Sequence, residues 1–472
     1  MEKPVFDYII CGGGAAGLLL LNALSKDPFF LKKDILLIEK ESKNTNDRTW
    51  SFWEKKEGPF EELLEKKWDA ATFLSSSVSL NFELAPYQYK MLRSKGFYEA
   101  CHKNIESQKN IQYLSAEVKS LKTEGFTSKV LTSKGSFSSK NVFNSVFDPG
   151  ALYSQKKYPA LKQHFIGWFI KTKSEEFDPN KILFMDFNIE QKKETRFLYV
   201  LPLDSKNALV EYTLFSADLL EKKEYEQGIK SYLKNKGITE YEIEEKEQGN
   251  IPMSSFPFDQ FNTPSLLNIG TAGGWTKAST GFTFMNTSRN VSKVVSFLKT
   301  GKPLNHFNIK NRFWFYDLLF LDVLSKYNSQ GSKLFERMFN KNSPLTIFRF
   351  LDEKTSFVEE LKIASSFSLL QNANVPTVQS EIGFYNNKQQ FEELMTNEKR
   401  QQIADALVET ILEIERYGLE GAPPGNNVSY VTPKRLTWIN PDLVVPENNL
   451  TQTVAPEDTH YSKISKIIPV SS

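Results

Sequence analysis

The chain has 472 residues, of which 40% are hydrophobic, and it carries a formal net charge of +2. This length can bury a large core and suggests two or three domains, whereas the near-neutral charge offers no electrostatic basis for binding nucleic acid. Two cysteines exclude a disulfide framework, and four scattered histidines without CxxC or HExxH spacing predict that no metal is bound. No apolar run approaches the ~20 residues that cross a bilayer, which predicts a cytoplasmic protein with at most peripheral membrane contact.

The start of the chain has the pattern of a nucleotide-binding βαβ unit. An apolar strand over residues 5–10 enters a glycine turn over 12–17, and an apolar helix over 18–24 precedes a second strand that ends at Glu39. In such units the glycines allow a pyrophosphate to approach closely, the helix N-terminus attracts its charge, and the acid accepts the ribose hydroxyls. The predicted nucleotide contacts from this unit are Gly12, Gly14, Ala15, Ala16, Gly17 and Glu39.

A second unusual stretch, residues 47–53, combines an acid, a base and two tryptophans. Aromatic rings in this setting either fill a core or line an apolar pocket. Judged by composition alone, two interpretations are equally favoured: a corner of the core held by a salt bridge between Asp47 and Arg48, and a ligand-binding site. The candidates from this stretch are Asp47, Arg48, Trp50 and Trp53.

The middle of the chain predicts strands of two kinds. An apolar run over 140–148 is expected to return to the nucleotide sheet as a parallel strand. From 163 to 213 the hydrophobic period is near two, which is typical of an antiparallel sheet. The strand 208–213 carries Glu211 among apolar and aromatic residues, including Tyr212. A strand glutamate is more often exposed to solvent, but a buried one would be a candidate acid.

A later segment repeats the order of strand and glycines. Residues 266–275 form this pattern, and Ser279-Thr280-Gly281 precedes a helix that runs towards Val295. The pattern predicts a second place where backbone approaches a cofactor, with a glycine-rich turn at a domain junction as the alternative. Two such elements far apart in sequence indicate a chain that leaves the nucleotide domain and returns to it. The candidates are Gly270, Gly273, Gly274, Gly281 and Trp275.

The C-terminal third is predicted to be largely helical. A helix predicted over 312–324 is apolar almost all round. Burial in the core is the expected explanation, and contact with a hydrophobic ligand or a membrane surface is the alternative. A polar amphipathic helix is predicted over 389–417. The polar residues that end the chain predict disorder.

Taken in order, these motifs resemble the bacterial lycopene cyclase family. They are the glycine turn, the 47–53 stretch, Tyr199-Val200-Leu201-Pro202 with Leu209-Val210-Glu211-Tyr212-Thr213, Ile251-Pro252-Met253, and the later glycine segment with Ser279-Thr280-Gly281. The resemblance extends over roughly residues 1 to 370. A common flavoprotein pattern has Gly-Asp where this chain has Gly270-Thr271, which weakens a general oxidoreductase reading more than a cyclase one.

The resemblance implies a fold, a cofactor and a reaction. It implies an α/β protein with a Rossmann-like FAD-binding domain, an inserted antiparallel-sheet substrate domain and a helical C-terminal part. The expected boundaries are 1–150 and 260–300 for the FAD domain, 151–259 for the substrate domain, 301–385 for the helical region and 386–472 for a partly disordered extension.

The implied reaction closes the ψ ends of lycopene, or of other acyclic carotenoids, to β-ionone rings. The product is β-carotene via γ-carotene, formed with reduced FAD, without net redox change, and with NAD(P)H as an external reductant for the flavin. The resemblance places an essential acid at Glu211, matches Asp47, the second catalytic candidate, to an acid of the tryptophan motif, and assigns Arg48 to the cofactor. It also implies a peripheral position on the cytoplasmic side of the inner membrane.

This chemistry matches the residues. Ring closure needs a proton at C2, a cation at C1, attack by the C5=C6 bond and loss of a proton from C6. The proton donor must be held neutral, and burial raises the pKa of a carboxyl, which favours Glu211. Aromatic faces stabilise cations, so Trp50, Trp53, Tyr212 and Trp275 are predicted to line the substrate. Whether Glu211 or the reduced flavin is the immediate acid is left open.

Two alternatives have distinct consequences. A hydroxylase or prenyl-chain reductase on the same fold would consume NAD(P)H stoichiometrically. A non-catalytic carotenoid-binding flavoprotein would leave cellular pigment composition unchanged when Glu211 is replaced by glutamine.

Overall fold

The structure is a computed structural model that describes residues 5–363 except 56, 107, 357 and 361, together with 396 and 398. The strands are β1 (Val5–Phe6), β2 (Tyr8–Cys11), β3 (Ile35–Glu39), β4 (Thr49–Lys55), β5 (Leu64–Trp68), β6 (Ala70–Leu74), β7 (Ser79–Glu83), β8 (Tyr87–Arg93), β9 (Ile111–Ser115), β10 (Val118–Glu124), β11 (Thr127–Thr132), β12 (Gly135–Ser139), β13 (Val142–Asn144), β14 (Leu161–Thr172), β15 (Lys181–Asp186), β16 (Thr195–Pro202), β17 (Asn207–Ser216), β18 (Tyr241–Met253) and β19 (Leu266–Asn268). The helices are α1 (Ala15–Lys26), α2 (Ser94–Glu106), α3 (Gly150–Ser154), α4 (Lys222–Asn235), α5 (Phe284–Leu298), α6 (Arg312–Lys326), α7 (Gly331–Lys341) and α8 (Pro344–Leu351).

A parallel sheet has the strand order β19-β13-β2-β3-β9. Strands β2 and β3 are buried along their whole length, as continuous apolar runs in parallel sheets require. One face packs on α1, α2 and α5, and the other face is covered by the sheet β1-β12-β11-β10. This architecture confirms the predicted Rossmann-like α/β fold, and β13 is the predicted returning parallel strand.

The single strand predicted over residues 5–10 is in fact two strands. Val5 and Phe6 pair with β12, whereas residues from Tyr8 onward pair with β3 and β13. Asp7 separates them, and its carboxylate accepts hydrogen bonds from the backbone N–H of Asp34 and from Lys33 Nζ. The chain therefore moves from one sheet to its neighbour at Asp7, the only charged residue of the run.

A second large sheet has the order β18-β14-β17-β16-β15-β6-β7. Its central pairs are antiparallel as predicted, while β15 and β6 run parallel. Strands β6 and β7 come from residues 70–83, so this part of the predicted FAD domain contributes to the sheet of the substrate domain. One face of the sheet packs on α4. The opposite face carries Glu211 and meets the small sheet β4-β8-β5.

The helical part follows the parallel sheet. The apolar helix predicted over 312–324 is α6, and its side chains are largely buried. Its N-cap, Asn311, accepts a hydrogen bond from the backbone N–H of Phe313, which fixes the start of the helix. In the part of the chain that the structure describes, no helix combines the length and apolar character needed to cross a membrane.

The chain divides into two compact units, residues 1–363 and 364–472. The first unit holds every sheet and helix named above, so the nucleotide, substrate and helical parts belong to one unit. The helix predicted over 389–417 and the polar end of the chain lie outside the described residues, apart from 396 and 398.

Candidate active site

The glycine turn has the backbone geometry that its sequence predicts. Gly12 has φ +97°, which L side chains rarely adopt, and a β-carbon on Gly17 would lie 1.9 Å from the carbonyl oxygen of Gly12. Around Gly14, in contrast, a β-carbon would meet nothing within 4 Å. Gly14 is also the N-cap of α1 and supplies no side-chain cap. The turn is therefore closed towards the protein and open at the helix N-terminus, where an anion would be attracted.

The later glycine segment packs against the same helix end. Gly270 has φ +60°, and a β-carbon on it would lie 2.6 Å from the β-carbon of Ala16. Gly274 has φ +70°, and a β-carbon on Gly273 would lie 2.2 Å from the carbonyl oxygen of Asn268. The structure thus brings together the two predicted glycine segments, which lie far apart in sequence.

Glu39 lies beside the glycine turn at the end of β3. One carboxylate oxygen accepts the backbone N–H of Gly13 at 2.5 Å, and the other accepts that of Glu41 at 2.9 Å. The side chain is buried. Glu39 therefore holds the turn in place, and its contact with a ribose stays a prediction.

Gly281 belongs to a loop that is anchored by a buried ion pair. Its φ is +70°, and its N–H donates to the carbonyl oxygen of Lys277. Lys277 Nζ donates to both oxygens of Asp317 in α6, at 3.0 and 2.9 Å, and Ser279 Oγ donates to the same carboxylate at 2.7 Å. The pair fixes the loop that precedes α5.

Replacing Lys277 by methionine is expected to destabilise the protein by roughly 3–5 kcal/mol, because it leaves the buried Asp317 charge without its cation. The loss should be smaller at pH 5 than at pH 8, since a lone buried carboxyl can become neutral by binding a proton. Urea unfolding of K277M and of the unmodified protein at both pH values measures this loss of stability. The double variant K277M/D317L should recover most of the stability, and equal stability of K277M and the unmodified protein would contradict this role.

Strand β4 separates the residues of the tryptophan stretch onto two faces. Trp50 stacks on Phe284 with ring centroids 4.8 Å apart and joins the core beneath the parallel sheet. Trp53 is on the other face, where it stacks on Phe282 at 4.5 Å and donates from Nε1 to Asp352 at 3.2 Å. Thr49 lies on the same face as Trp53, because alternate residues of a strand share a face.

Asp47 is bound to α2 as an anion. Its carboxylate accepts hydrogen bonds from Lys43 at 2.9 Å, Ser94 at 3.0 Å and Tyr98 at 2.8 Å. Burial alone would raise the pKa of Asp47, but these hydrogen bonds outweigh it and hold the pKa below its ordinary value. Arg48 is exposed, and its guanidinium donates to the carbonyl oxygen of Asp47 at 2.6 Å.

Glu211 has the opposite electrostatic setting. It is 7% exposed, in the middle of β17, and Oε1 accepts a hydrogen bond from Thr213 Oγ1 at 2.6 Å. Burial, followed by the charge of Glu247, raises the pKa of Glu211 to about 8. Of the two predicted acids, Glu211 is therefore the one that keeps its proton at neutral pH.

The register of the sheet surrounds Glu211 with residues that sequence analysis did not select. Glu211 pairs with Tyr199 of β16 on one side and with Gly167 of β14 on the other, and Gly167 pairs in turn with Glu247 of β18. Tyr199 donates its hydroxyl hydrogen to Tyr89 of β8 at 2.5 Å. Burial raises the pKa of both phenols, so they remain neutral donors and acceptors.

Tyr199 keeps some exposed surface although burial is the largest cause of its raised pKa. One of these residues could have been found from the sequence, because Tyr199 begins the Tyr199-Val200-Leu201-Pro202 motif that accompanies the strand of Glu211. Nothing in a single sequence indicates that Glu247 pairs across Gly167 with Glu211.

Three of the four predicted substrate-lining residues lie apart from Glu211, the first being Trp50, which stacks on Phe284 in the core beneath the parallel sheet. Tyr212 follows Glu211 on the strand and so points to the opposite face, where its ring packs on Gly228 of α4. Trp275 is buried in the core beneath the parallel sheet, with its ring centroid 6.3 Å from that of Phe307. Trp53, in contrast, lies on the face of β4 that meets the sheet of Glu211.

A comparison with protein families matches residues 7–375 to the family described as "Lycopene cyclase protein". The chain belongs to this family. The match covers both glycine segments, the tryptophan stretch and the strand of Glu211, as the resemblance predicted. A comparison with curated protein sequences finds no match.

Solved structures share the fold of this lycopene cyclase family member at low sequence identity. A mutant of the halogenase PltM in complex with FAD has a TM-score of 0.52 and 12% identity, with 87% of this chain and 96% of that chain covered. A flavoprotein/dehydrogenase from Cytophaga hutchinsonii has a TM-score of 0.50 and 12% identity, with 81% of this chain and 100% of that chain covered. These likenesses show that the fold is that of known flavoproteins.

In the part of the chain that the structure describes, no group of three or more His, Cys, Asp or Glu side chains is arranged to hold a metal ion.

Proposed function

We propose that the protein is a lycopene cyclase that closes the ψ ends of lycopene to β-ionone rings with reduced FAD. The observation that carries this proposal is Glu211, a buried carboxyl whose pKa is raised to about 8, in a chain of the lycopene cyclase family. A carbon–carbon double bond is a weak proton acceptor, so the reaction needs an acid that stays neutral until it is used. Glu211 meets this requirement, whereas the anionic Asp47 does not.

The proton transfer can be written for Glu211 as donor. Its O–H bond breaks as a C–H bond forms at C2 of the carotenoid end, which leaves a tertiary cation at C1. The C5=C6 double bond attacks this cation and closes the ring. Loss of the proton from C6 then forms the ring double bond, so that one proton enters and one leaves for each ring.

The two glycine segments fit a dinucleotide cofactor. The open side of Gly14 and the uncapped N-terminus of α1 would hold the pyrophosphate, and the Gly270–Gly273 turn would face the flavin side of the molecule. Reduced FAD, when bound, supplies an electron-rich ring system that stabilises cations. NAD(P)H would serve only to keep the flavin reduced.

The surroundings of Glu211 suit a reaction through cations. Aromatic rings on this side of the sheet include Tyr199, Tyr89 and, on β4, Trp53. Their faces stabilise positive charge, and their bulk keeps out water, which would otherwise trap the cation as an alcohol. Tyr199 and Tyr89 stay neutral because burial raises their pKa values.

The substrate class implies where the protein works. Lycopene and other acyclic carotenoids dissolve in membranes, so we propose a peripheral contact with the cytoplasmic surface of the inner membrane. Exposed lysines such as Lys32 would favour anionic lipid there. Flotation with vesicles that contain anionic lipid tests this contact.

Pigment analysis in deuterated water tests the reaction. The FAD-loaded protein, with its flavin reduced, should convert lycopene to β-carotene that carries one solvent deuterium for each ring. Product formed without stoichiometric loss of NAD(P)H supports a cyclase. Consumption of one NAD(P)H per product indicates a reductase or hydroxylase, and unchanged lycopene with folded, flavin-loaded protein would refute the proposal.

A further inference from the structure

Glu247 lies in the same cross-strand row as Glu211, on the far side of a glycine. Gly167 of β14 pairs with Glu211 of β17 and with Glu247 of β18. Residues paired in this way present their side chains on the same face of a sheet. Because neighbouring strands are about 4.8 Å apart, the backbones of the two glutamates are roughly 10 Å apart, a gap that two side chains can bridge.

Gly167 places no side chain of its own in that gap. A β-carbon on Gly167 would lie 2.9 Å from Cδ1 of Leu209, two residues before Glu211 on β17, and 3.2 Å from Cγ and 3.4 Å from Oε1 of Glu247. The side chain of Glu247 therefore lies over the glycine, in the direction of Glu211. Any larger residue at this position would stand between the two carboxyls.

Each carboxyl is oriented by a threonine from a different part of the chain. Thr213 donates to Oε1 of Glu211, and Thr49 of β4 donates to Oε2 of Glu247, both at 2.6 Å. Glu247 is thus linked to the strand that follows Asp47, and this strand carries Trp53. The pair joins the large sheet to the tryptophan stretch.

The charged groups around the pair differ between the two carboxyls. Arg93, whose guanidinium also binds Glu245, and Arg48 favour the anion of Glu247. The neighbours of Glu211 are the phenols Tyr199 and Tyr89, which carry no charge at neutral pH.

The order in which the two carboxyls ionise follows from these neighbours. Burial raises the pKa of Glu247 above its ordinary value, and the charge of Glu245 adds to the rise, while the hydrogen bond from Thr49 and the charges of Arg93 and Arg48 oppose it. The pKa of Glu211 is raised by burial and then by the charge of Glu247. Because the charge of Glu247 is a cause of the raised pKa of Glu211, Glu247 loses its proton before Glu211 does.

Resting on the proposed cyclase function, we propose that Glu247 is a positioning residue whose anion, across Gly167, keeps the transferable proton on Glu211. When the O–H bond of Glu211 breaks and the C–H bond at C2 forms, two anions face each other. This repulsion favours the return of one proton to the two carboxyls. The proton comes from C6 as its C–H bond breaks, or from solvent. The pair is thereby restored for the second ring.

The test is the pH dependence of ring formation by the full, FAD-loaded chain with its flavin reduced. The unmodified protein should lose activity as the pH rises through about 8, where Glu211 loses its proton. In Glu247→Gln this loss should move to lower pH by roughly one unit, so that the rate at pH 8 is about a tenth of the variant's plateau at low pH, against about half in the unmodified protein. Glu247→Asp, which keeps the charge, should restore at least half of the shift.

Glu242→Gln is the matched control, because it removes an exposed carboxyl from the same strand. Its pH profile should coincide with that of the unmodified protein. An unshifted profile in Glu247→Gln would overturn the proposal. So would complete inactivity of Glu247→Gln at every pH with a normal flavin spectrum, because a positioning role leaves the acid-side plateau in place.

An infrared titration separates this proposal from the cyclase function. The band of a protonated buried carboxyl should disappear near pH 8 in the unmodified protein, be absent in Glu211→Gln, and disappear at lower pH in Glu247→Gln. If the unmodified protein forms no ring at any pH but shows these shifts, the proposed function fails and the carboxyl pair stands. If rings form and the band is insensitive to Glu247→Gln, the pair fails alone.

Discussion

Replacing Glu211 by glutamine is expected to reduce ring formation by about 10²–10⁴-fold while FAD remains bound. Glutamine has the same size, and its amide oxygen can still accept the hydrogen bond from Thr213, so the strand should keep its structure. The amide has no acidic proton to transfer to a carbon atom. The measurement is the initial rate of cyclic product from lycopene, with the flavin spectrum and thermal unfolding recorded on the same preparation.

The neighbouring residue provides the control for this variant. Tyr212→Phe changes the next position of the strand but on the face that packs on α4, so its rate should stay within about twofold of the unmodified protein. This result would also separate Tyr212 from the substrate-lining set that sequence analysis predicted. If Glu211→Gln kept more than about a tenth of the activity, the proton would have to come from another group, and the role assigned to Glu211 would be wrong.

The parallel sheet was predictable because the burial of its strands is visible in their own sequences as continuous apolar runs. Residues 35–38 are a short, continuous apolar run that follows a helix and ends at Glu39, and a run of this length is typical of a strand buried on both faces. The glycine turn was predictable for a similar reason, because the positive φ of Gly12 and the close backbone contact at Gly17 each require a residue without a side chain. Each of these signals is contained in a few neighbouring residues.

The sheet that carries Glu211 was predictable only in outline. Its period of two indicated antiparallel strands, but residues 70–83 join its edge from a distant part of the chain, through the parallel pairing of β6 with β15. Alternation along a strand says which residues share a face and does not say what covers that face. The burial of Glu211 therefore followed from the family resemblance and from tertiary structure, not from the pattern.

Glu247 shows the same limit more sharply. It lies among charged residues in β18, a pattern typical of a strand exposed to solvent. Its desolvation comes from the pairing of β18 with β14 at Gly167 and from the approach of Thr49. Neither contact leaves a trace in the local sequence, because both join residues that are far apart along the chain.

Two glycines of the nucleotide turn should respond to alanine in opposite ways. In Gly17→Ala the new β-carbon would lie 1.9 Å from the carbonyl oxygen of Gly12, a backbone atom that cannot move without displacing the turn. We expect a loss of stability of roughly 3 kcal/mol, visible as a lower unfolding temperature with and without FAD. Gly14→Ala has open space around the new methyl group and φ −76°, so the apoprotein should unfold at the unmodified temperature.

The difference between these variants tests where the cofactor binds. If the pyrophosphate lies against the open side of Gly14, the alanine methyl group occupies its place, and the affinity for FAD should fall at least about tenfold although the apoprotein is stable. Fluorescence titration of the apoprotein with FAD measures this. Unchanged affinity in Gly14→Ala would mean that the cofactor does not approach the backbone here. Because a β-carbon on Gly17 meets protein and one on Gly14 does not, a stability loss in the first variant and an affinity loss in the second cannot share one cause.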